Sequence, residues 1–346
     1  MFRLHCFNQD DSSLDLLAAL ATANESSSHT FLIGSYRSNE VDENHILSKK
    51  LAVIKEFRGI SNKIIDIPLG NLSEAEVNSF VSTSLRCSEG KTATLARVIR
   101  KKTGGNPFFT AQFLLALQQE GILEFQLGTL QWTWDLEAIE TKFVANNIAD
   151  LMQKKLTALP RDLQMILQVC SCLGCDFDIR TLRLAARGFP DNAFERSLEE
   201  YCEDAVRAGI IVYSEETAVF SFVHDQLQSA SFNLIEKEDA DEFQGKIGRA
   251  IIANASADDL DSLLLVAIDL CNCDANAISK TPEDKIKFAS RNLQAGKQAM
   301  KNSAFVSAAS YLQSGITLIE YGISFDDTRD LQIELYSLCG KAYFSR

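Results

Sequence analysis

The sequence predicts a mainly α-helical chain with a small α/β remnant at its beginning. Three observations carry this. Gly (17) and Pro (5) are scarce in 346 residues, so most of the length is free of turn-formers. Apolar residues recur at helical spacing over nearly everything beyond Ser73. Two short, near-continuous apolar runs before residue 70 have the character of strands buried on both faces. Hydrophobic residues at 46% and charged residues at 23% are globular values that exclude a disordered or collagen-like chain. A net charge of -13 argues against wrapping nucleic acid by charge. No run approaches the roughly 18 to 20 apolar residues of a membrane span. The first residues, MFRLHCFNQDD, lack a signal pattern. A cytoplasmic protein without a membrane partner is expected. Nine scattered cysteines do not describe a disulfide scaffold, and free, mostly buried thiols are expected.

In chain order, 12–24 reads as a helix with Leu14, Leu17 and Leu20 on one face. His29–Arg37 reads as a strand, 45–58 as an amphipathic helix and Lys63–Leu69 as a second strand. Helix, strand, helix, strand is the rhythm of a parallel α/β sheet. Two strands leave edges open and faces uncovered, so strands from before Met1 or from another polypeptide are expected to complete the sheet. Ser73 and Glu76 then fit a capping box. Helices follow near 74–86, 91–103 and 107–121, the last opened by Pro107 in its first turn. Ile122–Phe125 and Gln131–Trp134 read as a small hairpin with Gly128-Thr129 between them.

From 144 the pattern is helices at 145–158, 161–173, 178–187 and 192–208, then strands at 209–213 and 218–222, the order of a winged helix. A helix begins near Asp225, and helices follow at 238–254, 257–271, 282–302, 304–321 and 326–344. These stack in a tetratricopeptide-like manner without a strict 34-residue period. The domains expected are 1–70, an α/β core portion; 71–140, a helical segment with a hairpin; 141–236, winged-helix-like; and 237–346, helical repeats.

Chemical motifs are few. Gly90-Lys91-Thr92 has Leu85 where a phosphate loop needs Gly, and no strand precedes it. Cys170, Cys172 and Cys175 sit in an apolar helical pattern and lack the second pair that the four ligands of structural zinc need; no metal site is expected. Arg180, Arg183 and Arg187 form a basic stripe, but acids crowd 191–204, so the stripe reads as a solvated face or one paired to the helical segment at 71–140, and nucleic acid is not expected.

Several segments together resemble the ATPase module of large signalling kinases, in which a serine/threonine kinase-like domain precedes a STAND-type ATPase, helical repeats and often a histidine kinase. They are Leu32–Val41, Lys102–Phe109, Phe177-Asp178, Phe222–Ala230 and Ala295–Ala299. The resemblance implies a partial P-loop NTPase sheet, then a helical lid, a winged helix and the repeats. It implies that Arg37 is a sensor arginine near a γ-phosphate, a role suited to a guanidinium. It implies that Asn106 and Pro107 form the lid signature, with the proline on adenine, and that His224 and Asp225 lock a resting form through the β-phosphate of ADP. Arg37, Pro107 and His224 each also have a plain role as turn or helix cap. This sequence departs from the family pattern at Gln226, where Arg is usual. It departs again at Leu4 and His5, where the metal-binding acids would fall.

The resulting expectation is a regulatory piece of a STAND-type ATPase that binds ATP or ADP when the missing core is supplied, does not hydrolyse ATP alone, and acts on an attached or partner kinase through its helical region. The alternative is a non-enzymatic helical-repeat scaffold.

Overall fold

The computed structural model describes residues 11–22, 33–36, 41–56, 65–142, 148–190, 193–274, 281–320, 323 and 325–345. The chain divides into two compact units. One holds Met1–Ile67, Leu184–Phe189 and Glu238–Arg346; the other holds Pro68–Arg183 and Pro190–Lys237. The architecture is mainly α, with two small antiparallel sheets among the described residues.

The first unit begins with α1 (Asp11–Thr22) and α2 (Ile46–Glu56). Leu14, Leu47 and Ile54 are buried, and Lys50 pairs with Asp15. The two strands predicted in this region are not formed among the described residues. Ile33–Tyr36 and Ile65–Gly70 make no ladder, and Ile65, Ile67 and Leu69 are 81%, 73% and 93% exposed. A strand exists through a hydrogen-bonded neighbouring strand, and Ile33–Tyr36 and Ile65–Gly70 pair with none among the described residues. The remainder of the predicted first strand, including Arg37, lies outside the described residues.

The rest of that unit consists of α12 (Ala240–Asn254), α13 (Ala257–Cys273), α14 (Pro282–Lys301), α15 (Phe305–Glu320) and α16 (Phe325–Phe344), each packed on its chain neighbour. Ser256 and Thr281 cap α13 and α14 by accepting from the Asp259 and Asp284 amides, which satisfies N–H groups the first turn leaves bare. Small residues let the helices approach. A Cβ on Gly296 of α14 would lie 2.6 Å from Leu312 Cγ of α15. Buried Asn292 exchanges two amide hydrogen bonds with Asn272, at 2.9 and 3.1 Å, and gives a third to the Phe288 carbonyl. Burial pushes the Asp269 carboxyl up against an opposing hydrogen bond from Tyr311.

The second unit opens with α3 (Glu74–Leu85), α4 (Glu89–Thr103) and α5 (Pro107–Gln119). The capping box forms as predicted: Ser73 Oγ accepts from the Glu76 amide and the Glu76 carboxylate accepts from the Ser73 amide. Val77, Val81, Leu95, Ile99, Phe113 and Leu117 join in one core with Leu123 and Ile139. Next come β1 (Leu123–Gln126) and β2 (Gln131–Trp134), paired so that Phe125 faces Trp132, and then a short α6 (Leu136–Lys142). The helices α7 (Ile148–Thr157) and α8 (Arg161–Leu173), the two-residue β3 (Asp176–Phe177), α9 (Ile179–Ala186) and α10 (Leu198–Arg207) follow. The hairpin of β4 (Ile211–Ser214) and β5 (Val219–Phe222) leads into α11 (Asp225–Phe232).

The sheet order is β3-β5-β4, so the short strand closes the far edge of the hairpin. This strand went unrecognised because two residues carry no periodicity. The helix expected from 192 begins at Leu198, where Ser197 and Glu200 make a second capping box. Arg183 pairs with Glu199. Cys170 and Cys202 are buried, and burial pushes the Cys202 thiol up to about 12.

Gly296→Ala is expected to lower the unfolding free energy by about 1–3 kcal/mol, because the new methyl displaces Leu312 from its packed position. Urea denaturation of the variant measures it, and an unchanged midpoint would refute this packing.

Candidate functional site

Lys102–Phe109 and Phe222–Ala230 share the second unit, and the fold brings them into contact. The turn between α4 and α5 explains how. Gly104 ends α4 in the left-handed region at φ 63°, and Gly105 continues there at φ 78°. A Cβ on Gly105 would lie 2.2 Å from the Leu72 carbonyl oxygen and 2.6 Å from Arg100 Nε, so only glycine fits. The Gly105 carbonyl accepts from the Leu72 amide at 2.7 Å, and its own amide donates to Thr103 Oγ1 at 3.2 Å. Buried Thr103 donates to the Ile99 carbonyl, and Thr110 to the Asn106 carbonyl, both at 2.9 Å.

With the turn fixed, Asn106 caps α5 by accepting from the Phe109 amide at 3.2 Å. Pro107 takes the first helical position, where its missing N–H costs nothing. The proline ring is exposed, Phe108 is half-buried and Phe109 is buried.

His224 arrives from the other side. It ends the β5 segment in extended backbone and caps α11, its Nδ1 accepting from the Gln226 amide at 3.1 Å. The Phe108 ring stacks on the imidazole with centroids 4.6 Å apart and planes 18° from parallel, and Phe109 lies 5.7 Å away on a tilt. The cap and the ring contact therefore coexist.

Asp225 Oδ1 lies 2.6 Å from His224 Nδ1 and 2.9 Å from the Gln226 amide. With its proton on Nε2 the ring accepts from Gln226 through Nδ1; with a proton on Nδ1 it donates to Asp225 instead, and the Gln226 N–H still has the carboxylate as acceptor. Behind this cluster, Gln228 holds α11 on α8, donating to the Ser171 carbonyl at 3.0 Å and accepting from Cys175 Sγ at 3.0 Å.

The sequence reading missed Lys155. It looks like half of a solvated Lys154-Lys155 pair, yet it follows buried Met152 by three positions and precedes buried Leu156, which turns it inward. Its ammonium donates to Gln112 Oε1 at 3.0 Å. Gln112 is one turn beyond Phe108 on the same face of α5. Burial holds the Lys155 pKa below the ordinary lysine value.

The turn that carries Asn106 and Pro107 meets His224 through the Phe108 and Phe109 rings, with Asp225 beside His224, while Arg37 lies outside the described residues. The junction offers flat ring faces and a helix N-terminus whose Phe108 amide has no intrahelical acceptor. No group of three or more metal-ligating side chains occurs among the described residues.

Comparison with known proteins gives no matching family model. The chain is 28% identical over 64% of its length to the hybrid signal transduction histidine kinase G of Dictyostelium discoideum, covering 7% of that protein. It is 27% identical over 49% of its length to the peroxide stress-activated histidine kinase mak3 of Schizosaccharomyces pombe, again covering 7%. The chain is similar to segments of signalling histidine kinases. It spans about 7% of the length of the relatives it matches, so its similarity is to a small part of each. No helix among the described residues is long and apolar enough to cross a membrane.

Two outcomes follow from this geometry. Gly105→Ala is expected to destabilise the second unit by about 2 kcal/mol or more, combining a left-handed penalty with a backbone clash; thermal melting reads it.

The Lys155 effect has a defined sign. The folded-state pKa is lowered, so as pH rises toward the unfolded value of 10.5 the folded state releases its proton first. The unfolded state then holds more protons, and stability from this group rises with pH through that window. Relative to Lys155→Met, the wild type is expected to gain stability between neutral pH and pH 10.5, as measured by urea titrations at several pH values. A constant difference would rule this out.

Proposed function

We propose that this chain is a regulatory segment of a STAND-type signalling ATPase linked to a kinase, and that the Phe108–His224 junction is where it senses ADP or ATP. The observation that carries the reading is the stacking of a ring from the Gly105–Phe109 turn on the imidazole of His224 at 4.6 Å. Two segments that resemble the lid and winged-helix motifs of such ATPases, more than a hundred residues apart, meet there. In this reading the Gly104–Gln119 segment belongs to a helical lid, and α8 to β5 with α11 make a winged helix. Similarity to two signalling histidine kinases supports the signalling context.

The residue roles follow from their chemistry. Pro107 and Phe108 present flat apolar faces to a base. The first-turn amides of α5 favour a phosphate, as helix N-termini do. His224 donates to phosphate from its ring while Asp225 orients that ring through Nδ1. Arg37 is assigned to the γ-phosphate by resemblance. Nucleotide binding here changes a protein only through contacts that differ between two states, and the ring stack is the contact that differs. Hydrolysis is not assigned to this chain.

A second reading is a helical scaffold for a kinase or other signalling partner. It is favoured by an exposed stripe on α16, where Ile333, Tyr336 and Tyr343 are 54%, 51% and 51% exposed at helical spacing.

Thermal melting with ADP or ATP separates the readings. Nucleotide at about 100 times its dissociation constant adds about 2.7 kcal/mol of stability. The shift is expected in the wild type and lost in His224→Ala. No shift with either nucleotide at millimolar concentration would reject the nucleotide reading in favour of the scaffold.

A further inference from the structure

We propose that the groove between the end of α3, the start of α4 and the β1–β2 hairpin binds a small aromatic anion, a flat ring bearing a carboxylate or phosphate. The inference is independent of the Phe108–His224 junction and involves none of its residues.

The groove has a volume of about 690 Å³ and is lined chiefly by Arg86, Cys87, Lys91, Phe125, Leu130 and Trp132. That volume falls in the range of roughly 300–1,000 Å³ typical of small-molecule sites. One wall is aromatic: Phe125 and Trp132, opposite each other across the hairpin, meet edge to face with centroids 5.4 Å apart. Phe125 is 43% exposed and Leu130 is 72% exposed, so this wall carries apolar surface that the fold itself does not bury.

The charge at the groove is one-sided. Its lining includes two cations and no carboxylate, in a chain of net charge -13. Lys91 Nζ donates to Gln131 Oε1 at 3.2 Å and to the Trp132 carbonyl at 3.3 Å, and lies 5.6 Å from the centre of the Trp134 ring. Those partners orient the ammonium but do not neutralise it, and three N–H groups leave one for a ligand. Among the described residues no acid pairs with Lys91 or Arg86. Arg86 adds a guanidinium able to grip two anion oxygens together.

The backbone supplies a second, separate observation. Four residues other than glycine have positive φ among the described residues, and two of them, Arg86 at 51° and Leu130 at 52°, line this groove. Such conformations are costly for side-chain-bearing residues and gather at binding sites. At Arg86 the left-handed turn ends α3, its amide donating to the Ser82 and Thr83 carbonyls. At Leu130 the same conformation closes the hairpin before β2. A ligand ring resting on Phe125 and Trp132, with its anion at Lys91 and Arg86, uses every one of these features.

The protein's only two tryptophans, Trp132 and Trp134, both lie on β2 and Trp132 lines the groove, so intrinsic tryptophan fluorescence reads binding there. The full chain is titrated with phenylacetate, phenyl phosphate and the neutral analogue benzyl alcohol. At least one anion is expected to give a saturable change in the millimolar range, with benzyl alcohol at least about tenfold weaker. Binding by one anion and not the other identifies the preferred charge and supports the site equally. Lys91→Gln is expected to weaken anion binding about tenfold, and Arg86→Gln, which touches no tryptophan contact, to weaken it in the same direction with an unchanged melting temperature. No saturable change with either anion, equal binding of benzyl alcohol, or undiminished binding in both variants would overturn the proposal.

Discussion

The second unit turns on a shortage of space at Gly105. Its α-carbon lies so near the Leu72 carbonyl and the Arg100 side chain that no larger residue fits, and its φ of 78° is one that glycine alone adopts cheaply. That constraint reverses the chain between α4 and α5 in two residues. The direction of α5 then determines where Phe108 points. Because Phe108 points at His224, the cap of α11, the stacking of two rings and the exposure of Pro107 are all downstream of one crowded glycine. Thr103 and Thr110 reinforce the same turn from inside, their hydroxyls donating to the Ile99 and Asn106 carbonyls one helical turn back.

Much of the helical architecture was legible in the residues. Ser73 with Glu76, and Asn106 with Pro107, state helix starts in side-chain chemistry, and the structure begins α3 and α5 at those points. The long amphipathic segments after 238 also read correctly, because fifteen or more residues of periodic burial outweigh local ambiguity. What misled were the apolar runs near residues 33 and 65. Hydrophobicity and β-branching describe a residue's fitness for a sheet, but pairing depends on a neighbour that a local run does not specify. Strand β3 escaped for the opposite reason: its pairing with β5 comes from tertiary proximity, with almost no local signal.

The candidate junction was legible in its parts and not in its contact. The Gly-Asn-Pro and His-Asp segments stand out in sequence, whereas their meeting depends on α7, α8 and α11 packing together. Lys155 shows why such sites are under-read. A lysine next to another lysine looks like solvent-facing charge until the burial of Met152 and Leu156 indicates which way the helix is turned. The aromatic groove has the same character, since Arg86 and Leu130 are unremarkable residues whose significance lies in their backbone angles.

The reciprocal amide pair between α13 and α14 bears on a different property. Asn292 is fully enclosed and meets its hydrogen-bonding needs through Asn272 and one carbonyl. Slide either helix by a turn and the enclosed Asn292 carboxamide would lose its Asn272 partner, a penalty that leucine-rich contacts would not impose. The alanine, leucine and glycine interfaces of this region tolerate many alignments, and the two asparagines act as a vernier that singles out one.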